Sequence, residues 1–95
     1  MEVEVKGNVV NVKGNIKSLD DVYKLKSVLD SINYSSITIN LYDSMAITST
    51  LIGYLRKKIN DGIQIFINVG NELLYELLDD LGLIDIFHVR KIKWV

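Results

Sequence analysis

Valine alternates with charge at the start of the chain. Val3 and Val5 lie between Glu2, Glu4 and Lys6, and after Gly7-Asn8 the run Val9-Val10-Asn11-Val12-Lys13 continues the apolar series. Two such runs across a two-residue gap with glycine first predict an antiparallel β-hairpin. The period then changes. Leu19, Val22, Leu25, Leu29 and Ile32 recur at three- and four-residue steps behind Ser18, with Asp21 three residues further on, which predicts an amphipathic helix opened by a capping box. Ser36-Ile37-Thr38-Ile39-Asn40-Leu41-Tyr42 and Ile63-Gln64-Ile65-Phe66-Ile67-Asn68-Val69 alternate strictly and are rich in β-branched residues, so two further strands follow. Between them Thr48, Ser49 or Thr50 can cap a helix carrying Leu51, Ile52, Leu55 and Ile59 inward, with Arg56, Lys57 and Lys58 in its C-terminal half and Gly62 just past its end. Asn71 to Leu81 repeats the helical spacing through Leu73, Leu74, Leu77, Leu78 and Leu81, and Gly82-Leu83 is a glycine cap with its hydrophobic contact. Phe87 to Val95 predicts a last strand.

This order, two strands and then three helix–strand units, predicts an α/β domain with a mixed four- to five-stranded sheet and right-handed crossovers. Strands covered on both faces read as continuous apolar runs. Here Ser36, Thr38 and Asn40, or Gln64 and Asn68, occupy every second position, so the helices are expected mainly on one face, leaving the other polar apart from Tyr42 and Phe66.

Length and composition narrow the function. The 95 residues make one domain with one core, and 48% hydrophobic content with mean hydropathy +0.20 argues against disorder. Eleven basic and twelve acidic residues give a formal charge of -1, too balanced for the electrostatic footprint of a nucleic-acid binder. No cysteine is present, which removes disulfides, zinc–thiolate sites and thiol nucleophiles. With no basic-then-apolar leader and no long apolar run, neither a signal peptide nor a membrane span is expected, and a cytoplasmic home is.

Catalytic chemistry finds little to work with. His88 is the single histidine, read as a surface or edge-strand residue. Asp20-Asp21 and Asp79-Asp80 are adjacent on helices, so neither pair converges on one substrate atom. Asp79-Asp80 also lies where the helix dipole disfavours negative charge, which makes it either a solvated surface or a partner-facing patch. No phosphate-binding glycine motif occurs, and Trp94 and the five tyrosines form no stacking series. The expectation is a non-enzyme with no metal and no cofactor.

The segment Ile47-Thr48-Ser49-Thr50-Leu51-Ile52-Gly53-Tyr54-Leu55 is different. It places three hydroxyl residues in a row at the start of the middle helix, where capping needs one. Either the others merely tolerate the turn, or one is a phosphorylation site. A phosphate there adds about -1.5 to -2 charges beside free N–H groups, changing the surface without unfolding it.

At this point the chain resembles the STAS family, the sulfate-transporter and anti-sigma-factor-antagonist domains, over nearly its whole length. That family's pattern of aliphatic residue, aspartate, two hydroxyl residues, glycine, aliphatic residue, glycine and a helix ending in leucine is similar to I-T-S-T-L-I-G-Y-L here. Val9 to Ile16 looks like the family's second strand, Asp61-Gly62-Ile63-Gln64-Ile65 like its helix–glycine–strand passage, and Leu77 to Phe87 like its closing pattern. Thr48 stands at the motif's aspartate, Leu51 at the glycine after the acceptor, and Lys17 at an upstream acid.

The resemblance implies a STAS or antagonist-like fold and a bacterial protein-interaction module. It places the phosphoacceptor on Thr50, with Ser49 before it, and partner contacts at Thr48, Ser49, Thr50, Leu51 and Ile52. The implied role is partner switching in transcription regulation: the unphosphorylated protein binds an anti-sigma factor that is also a serine kinase, and phosphorylation breaks the complex. An alternative keeps the fold and docks the chain on the ATPase of a lipid-trafficking ABC transporter. From another class, the Gly70-Asn71 turn offers a helix start for a small anionic ligand, though nothing basic adjoins it in sequence. A small enzyme ranks last, for want of a nucleophile–base pair or metal cluster.

Overall fold

A computed structural model describes residues 1–93. The hairpin β1 (Glu2–Lys6) and β2 (Val9–Lys13) turns at Gly7, whose φ of +61° suits the glycine-first turn. Helix α1 (Leu19–Asp30) starts at the capping box the sequence predicts: Ser18 Oγ accepts from the Asp21 N–H, and the Asp21 carboxylate accepts from the Ser18 N–H. Then come β3 (Ser36–Leu41), α2 (Ser49–Asn60), β4 (Gln64–Val69), α3 (Glu72–Asp80) and β5 (Arg90–Lys91). Helices α2 and α3 both end in Schellman caps. Gly62 and Gly82 take positive φ, and the N–H of Ile63 and of Leu83 reach back to the carbonyls of Lys58 and Leu78.

The sheet runs β1-β2-β3-β4-β5, antiparallel in the hairpin and parallel thereafter. Each crossover advances in the same direction, and crossovers share one hand, so all three helices fall on one face. Burial follows that geometry. Val10 and Val12, Ile37, Ile39 and Leu41, and Ile65, Ile67 and Val69 are buried beneath Val22, Leu25 and Leu29 of α1, Leu51 and Leu55 of α2, and Leu74 and Leu78 of α3. Each such side chain withdrawn from water contributes about 1.5–3 kcal/mol, and together they hold the layers in register. This is the α/β fold with a five-stranded mixed sheet that the alternation predicts.

Two expectations change. The last strand is only Arg90–Lys91, because Ile84 to His88 form a turn first and His88 takes φ of +47°. Ile92 and Lys93, also in the predicted strand, follow β5 outside regular structure, and Trp94 and Val95 lie outside the described residues. The open face is also more organised than a merely polar surface. Parallel register sets Asn11, Asn40 and Asn68 side by side on three adjacent strands. Asn68 Nδ2 donates to Asn40 Oδ1 and Asn40 Nδ2 donates to Asn11 Oδ1, both at 2.8 Å, and the Tyr42 hydroxyl reaches Asn11 Oδ1 at 3.0 Å. Beside this amide ladder the His88 ring stacks on Phe66 with centroids 4.7 Å apart, and its Nδ1 lies 3.1 Å from the Ile65 carbonyl.

Candidate functional site at the start of the middle helix

Because β2, β3 and β4 are parallel and each feeds a helix on the same face, the starts of α1, α2 and α3 gather at one end of the sheet. Ligands and partners of such sheets are generally met at this end, beyond the carboxyl ends of the strands. The loop that delivers α2 there is held by its neighbour. Asp43 accepts from the Gly14 N–H at 2.6 Å, buried Ser44 donates to the Gly14 carbonyl at 2.7 Å, and the Met45 N–H donates to Asn15 Oδ1 at 2.9 Å. Gly14 has φ of +88° and packs so near Met1 that a Cβ would lie 3.3 Å from its Cα, which accounts for glycine at that position. These links join residues about thirty apart, and no local sequence pattern announces them.

The three hydroxyls divide their work. Thr48 is the N-cap: its backbone is extended, and its Oγ1 accepts from the Leu51 N–H at 3.2 Å. Ser49 and Thr50 follow inside the first turn, both exposed, and neither side-chain hydroxyl has a hydrogen-bond partner among the described residues. Leu51 is 3% exposed and belongs to the core. It therefore holds the helix down and is not the partner contact that the resemblance implies. Ile52 is half-buried against the same core. Apolar side chains nonetheless surround the site. Leu19 opens α1, Met45 precedes α2 and Leu73 opens α3, each more than half exposed.

Thr50 lines a groove of about 490 Å³ between α1 and α2. Lys26 and Asp30 form its α1 wall, and Thr50, Gly53, Tyr54 and Lys57 its α2 wall. Gly53 leaves a notch, since a Cβ there would meet nothing within 4 Å. Tyr54 is the hub. Its hydroxyl donates to the Asp30 carboxylate, and its ring lies 5.1 Å from the Lys26 ammonium and 5.5 Å from that of Lys58, which pairs with Asp30 at 3.0 Å. The Tyr54 hydrogen bond, then Lys58, hold the Asp30 carboxyl below its ordinary range, while burial and then Asp30 push the Tyr54 phenol up. One carboxylate thus faces two ammonium groups around the ring, and Lys57 adds a third cation to the α2 wall.

The other sequence candidates are dispersed. Asp20-Asp21 serve the start of α1, where the Lys17 N–H above all holds the Asp21 carboxyl below its usual range. Asn71 caps α3, its Oδ1 accepting from the Leu74 N–H, so the Gly70-Asn71 turn has a structural occupation. Among the described residues no three His, Cys, Asp or Glu side chains gather as a metal site, and no helix is long and apolar enough to cross a membrane.

Comparison with known proteins speaks to architecture. No protein-family profile and no curated sequence matches the chain. Among solved structures it is similar to the NMR structure of the protein TM1081, with a TM-score of 0.63 and 21% identity, over 94% of this chain and 78% of that one. At that identity the likeness establishes the fold, a compact α/β arrangement shared along almost the entire chain.

Proposed function

We propose that the chain is a non-catalytic interaction module of the anti-sigma-factor-antagonist type. It binds a kinase-type anti-sigma factor through the start of α2, with Thr50 as the residue whose phosphorylation releases the partner. The carrying observation is the division of labour in the hydroxyl triplet: Thr48 alone caps the helix, which leaves Ser49 and Thr50 exposed with no structural task. Two further features support it. The carrier loop is pinned by Asp43 and Ser44, so the hydroxyls are presented rigidly and binding orders little chain. Exposed Leu19, Met45 and Leu73 at the same end of the sheet supply apolar surface for a desolvated contact.

A phosphate on Thr50 brings about -1.5 to -2 charges into that contact. Burying a charge without compensation costs about 3–5 kcal/mol, enough to change a partner's affinity by about two to three and a half orders of magnitude. The test is affinity for an anti-sigma serine kinase encoded beside the gene, measured with the wild type, Thr50→Ala and Thr50→Glu. Binding by the first two and loss with Thr50→Glu is expected. Equal binding by Thr50→Glu removes the charge switch, and no binding by any form removes the partner. A transporter ATPase encoded next door and co-purifying with the chain would replace this reading with the docking-subunit one.

A further inference from the structure

Helix α3 keeps a leucine stripe in water. Leu74 and Leu78 are fully buried, but Leu73, Leu77 and Leu81 are 62%, 37% and 52% exposed. At about 100° per residue these three lie within an arc of about 80°, and they run about 12 Å along the helix. The direction of the stripe follows from its opposite flank. Tyr75 and Glu72 face β5, where Lys91 stacks over the Tyr75 ring and reaches Glu72 at 3.1 Å. The leucines therefore lie on the flank of α3 that faces away from β5. An exposed apolar ridge of this length on one helix is a seat for a partner helix.

Charge identifies which helix. Glu76 and Asp80 follow the leucine stripe on its solvent side, and α3 contains no basic residue. Asp79 and Asp80 stand in the last turn, where the helix dipole opposes them, so they add negative charge to this end of α3 at a small cost to the helix. A second copy of the same helix is a poor occupant, because pairing two α3 stripes brings their carboxylates together. An anionic membrane surface is repelled by the same groups.

We propose that the leucine stripe of α3 is a docking site for a basic amphipathic helix of a protein partner. Its apolar ridge lies on Leu73, Leu77 and Leu81, and its lysines or arginines face Glu76 and Asp80. This site borders the surface around Thr50 at Leu73 but extends along α3 through Leu77 and Leu81, and it does not depend on phosphorylation or on the identity of the proposed partner. The test uses the full chain, ¹⁵N-labelled, with two synthetic helical peptides that share one leucine ridge and differ in carrying lysine or glutamate beside it. The lysine peptide should shift the amides of α3 saturably and more weakly at higher salt. Leu73→Asp/Leu77→Asp, at positions already exposed, should weaken it at least tenfold while the remaining amide spectrum stays in place. Glu76→Lys/Asp80→Lys should reverse the preference toward the glutamate peptide. Indifference to peptide charge, binding unaffected by the leucine substitutions, self-association of the chain through the stripe, or leucine-dependent binding to phosphatidylglycerol vesicles would each overturn the proposal.

Discussion

Replacing the three hydroxyl residues one at a time separates structure from presentation. In Thr48→Ala the Leu51 N–H loses its 3.2 Å acceptor at the first turn of α2, and such cap losses cost about 0.5–2 kcal/mol. Leu51 is itself anchored in the core, so the freed end cannot unwind far without exposing it, which places the expected cost near 1 kcal/mol. Ser49→Ala and Thr50→Ala remove exposed hydroxyls with no partner and install a better helix former, so each should be neutral or stabilising by a few tenths of a kcal/mol. The step of about 1 kcal/mol between adjacent residues is readable by urea unfolding at constant m-value, and corresponds to a shift of about 4–8 °C in Tm for a domain of this size. Thr48→Ser, which keeps the acceptor oxygen, should retain most of the stability. If Thr50→Ala costs as much as Thr48→Ala, its hydroxyl supports the fold, and the ground for reading it as a presented group disappears.

The remaining outcomes follow from the same structure. Asn40→Ala interrupts the amide ladder, removing the acceptor of the Asn68 amide and leaving Asn11 Oδ1 with the Tyr42 hydroxyl alone, at an expected cost of about 1–2 kcal/mol by urea unfolding; a neutral result would mean that water replaces the ladder without loss. Gly53→Ala should stabilise the chain by about 0.5–1 kcal/mol, since the glycine is mid-helix with open space at its Cβ, and should weaken any partner that enters the notch beside Thr50. Leu74→Ala should cost about 2–5 kcal/mol and Leu77→Ala less than about 1, a contrast that measures which leucines the fold itself uses. Asp21 and Asp30 have folded pKa values held below their unfolded ones, so their contributions are present above the ordinary aspartate pKa of about 3.9 and decline as pH falls through the folded values. Stability in that acid window should therefore be less pH-dependent in Asp30→Asn than in the wild type, as followed by circular dichroism.

Most of the architecture was legible because its determinants are local. The Gly7-Asn8 turn, the Ser18–Asp21 capping box and the Gly82-Leu83 cap each complete themselves within six residues, and strand alternation at Ile37 to Leu41 states which face is buried without reference to the rest of the chain. What was not legible depends on register or on three-dimensional crowding. The asparagines at 11, 40 and 68 look like isolated polar positions until parallel pairing aligns them. The Asp43 and Ser44 links to Gly14 join two loops that only the β2–β3 pairing brings together. Phe87 and Val89 are apolar enough to suit a strand and so extend the predicted last strand, whereas here both are buried around the turn that precedes it. At the candidate site the hydroxyl triplet is visible in sequence and helical periodicity turns Leu51 inward, as the structure has it; the motif resemblance is what places Leu51 among the partner contacts. The same periodicity treats the leucines of α3 as one apolar set, although a single sheet face accommodates only Leu74 and Leu78.

The two faces of the sheet make different demands, and this bears on where recognition takes place. On the open face the ladder amides donate and accept among themselves, and His88 covers part of Phe66, so the surface can remain in water with little to gain from a partner. The helix layer is the reverse. It leaves Leu19, Met45, Leu73, Leu77 and Leu81 in water, leaves two hydroxyls unpaired, and places lysines in the α1–α2 groove and carboxylates beside the α3 leucines. Each of these is unfavourable or neutral for the isolated chain, and each becomes favourable against a partner of the right shape and charge. Physical pressure toward association therefore concentrates on the helical side and on the end of the sheet where the helices begin. Substitutions on the ladder should reach binding only through stability, whereas those at Thr50 or along the α3 stripe should alter binding while stability barely moves.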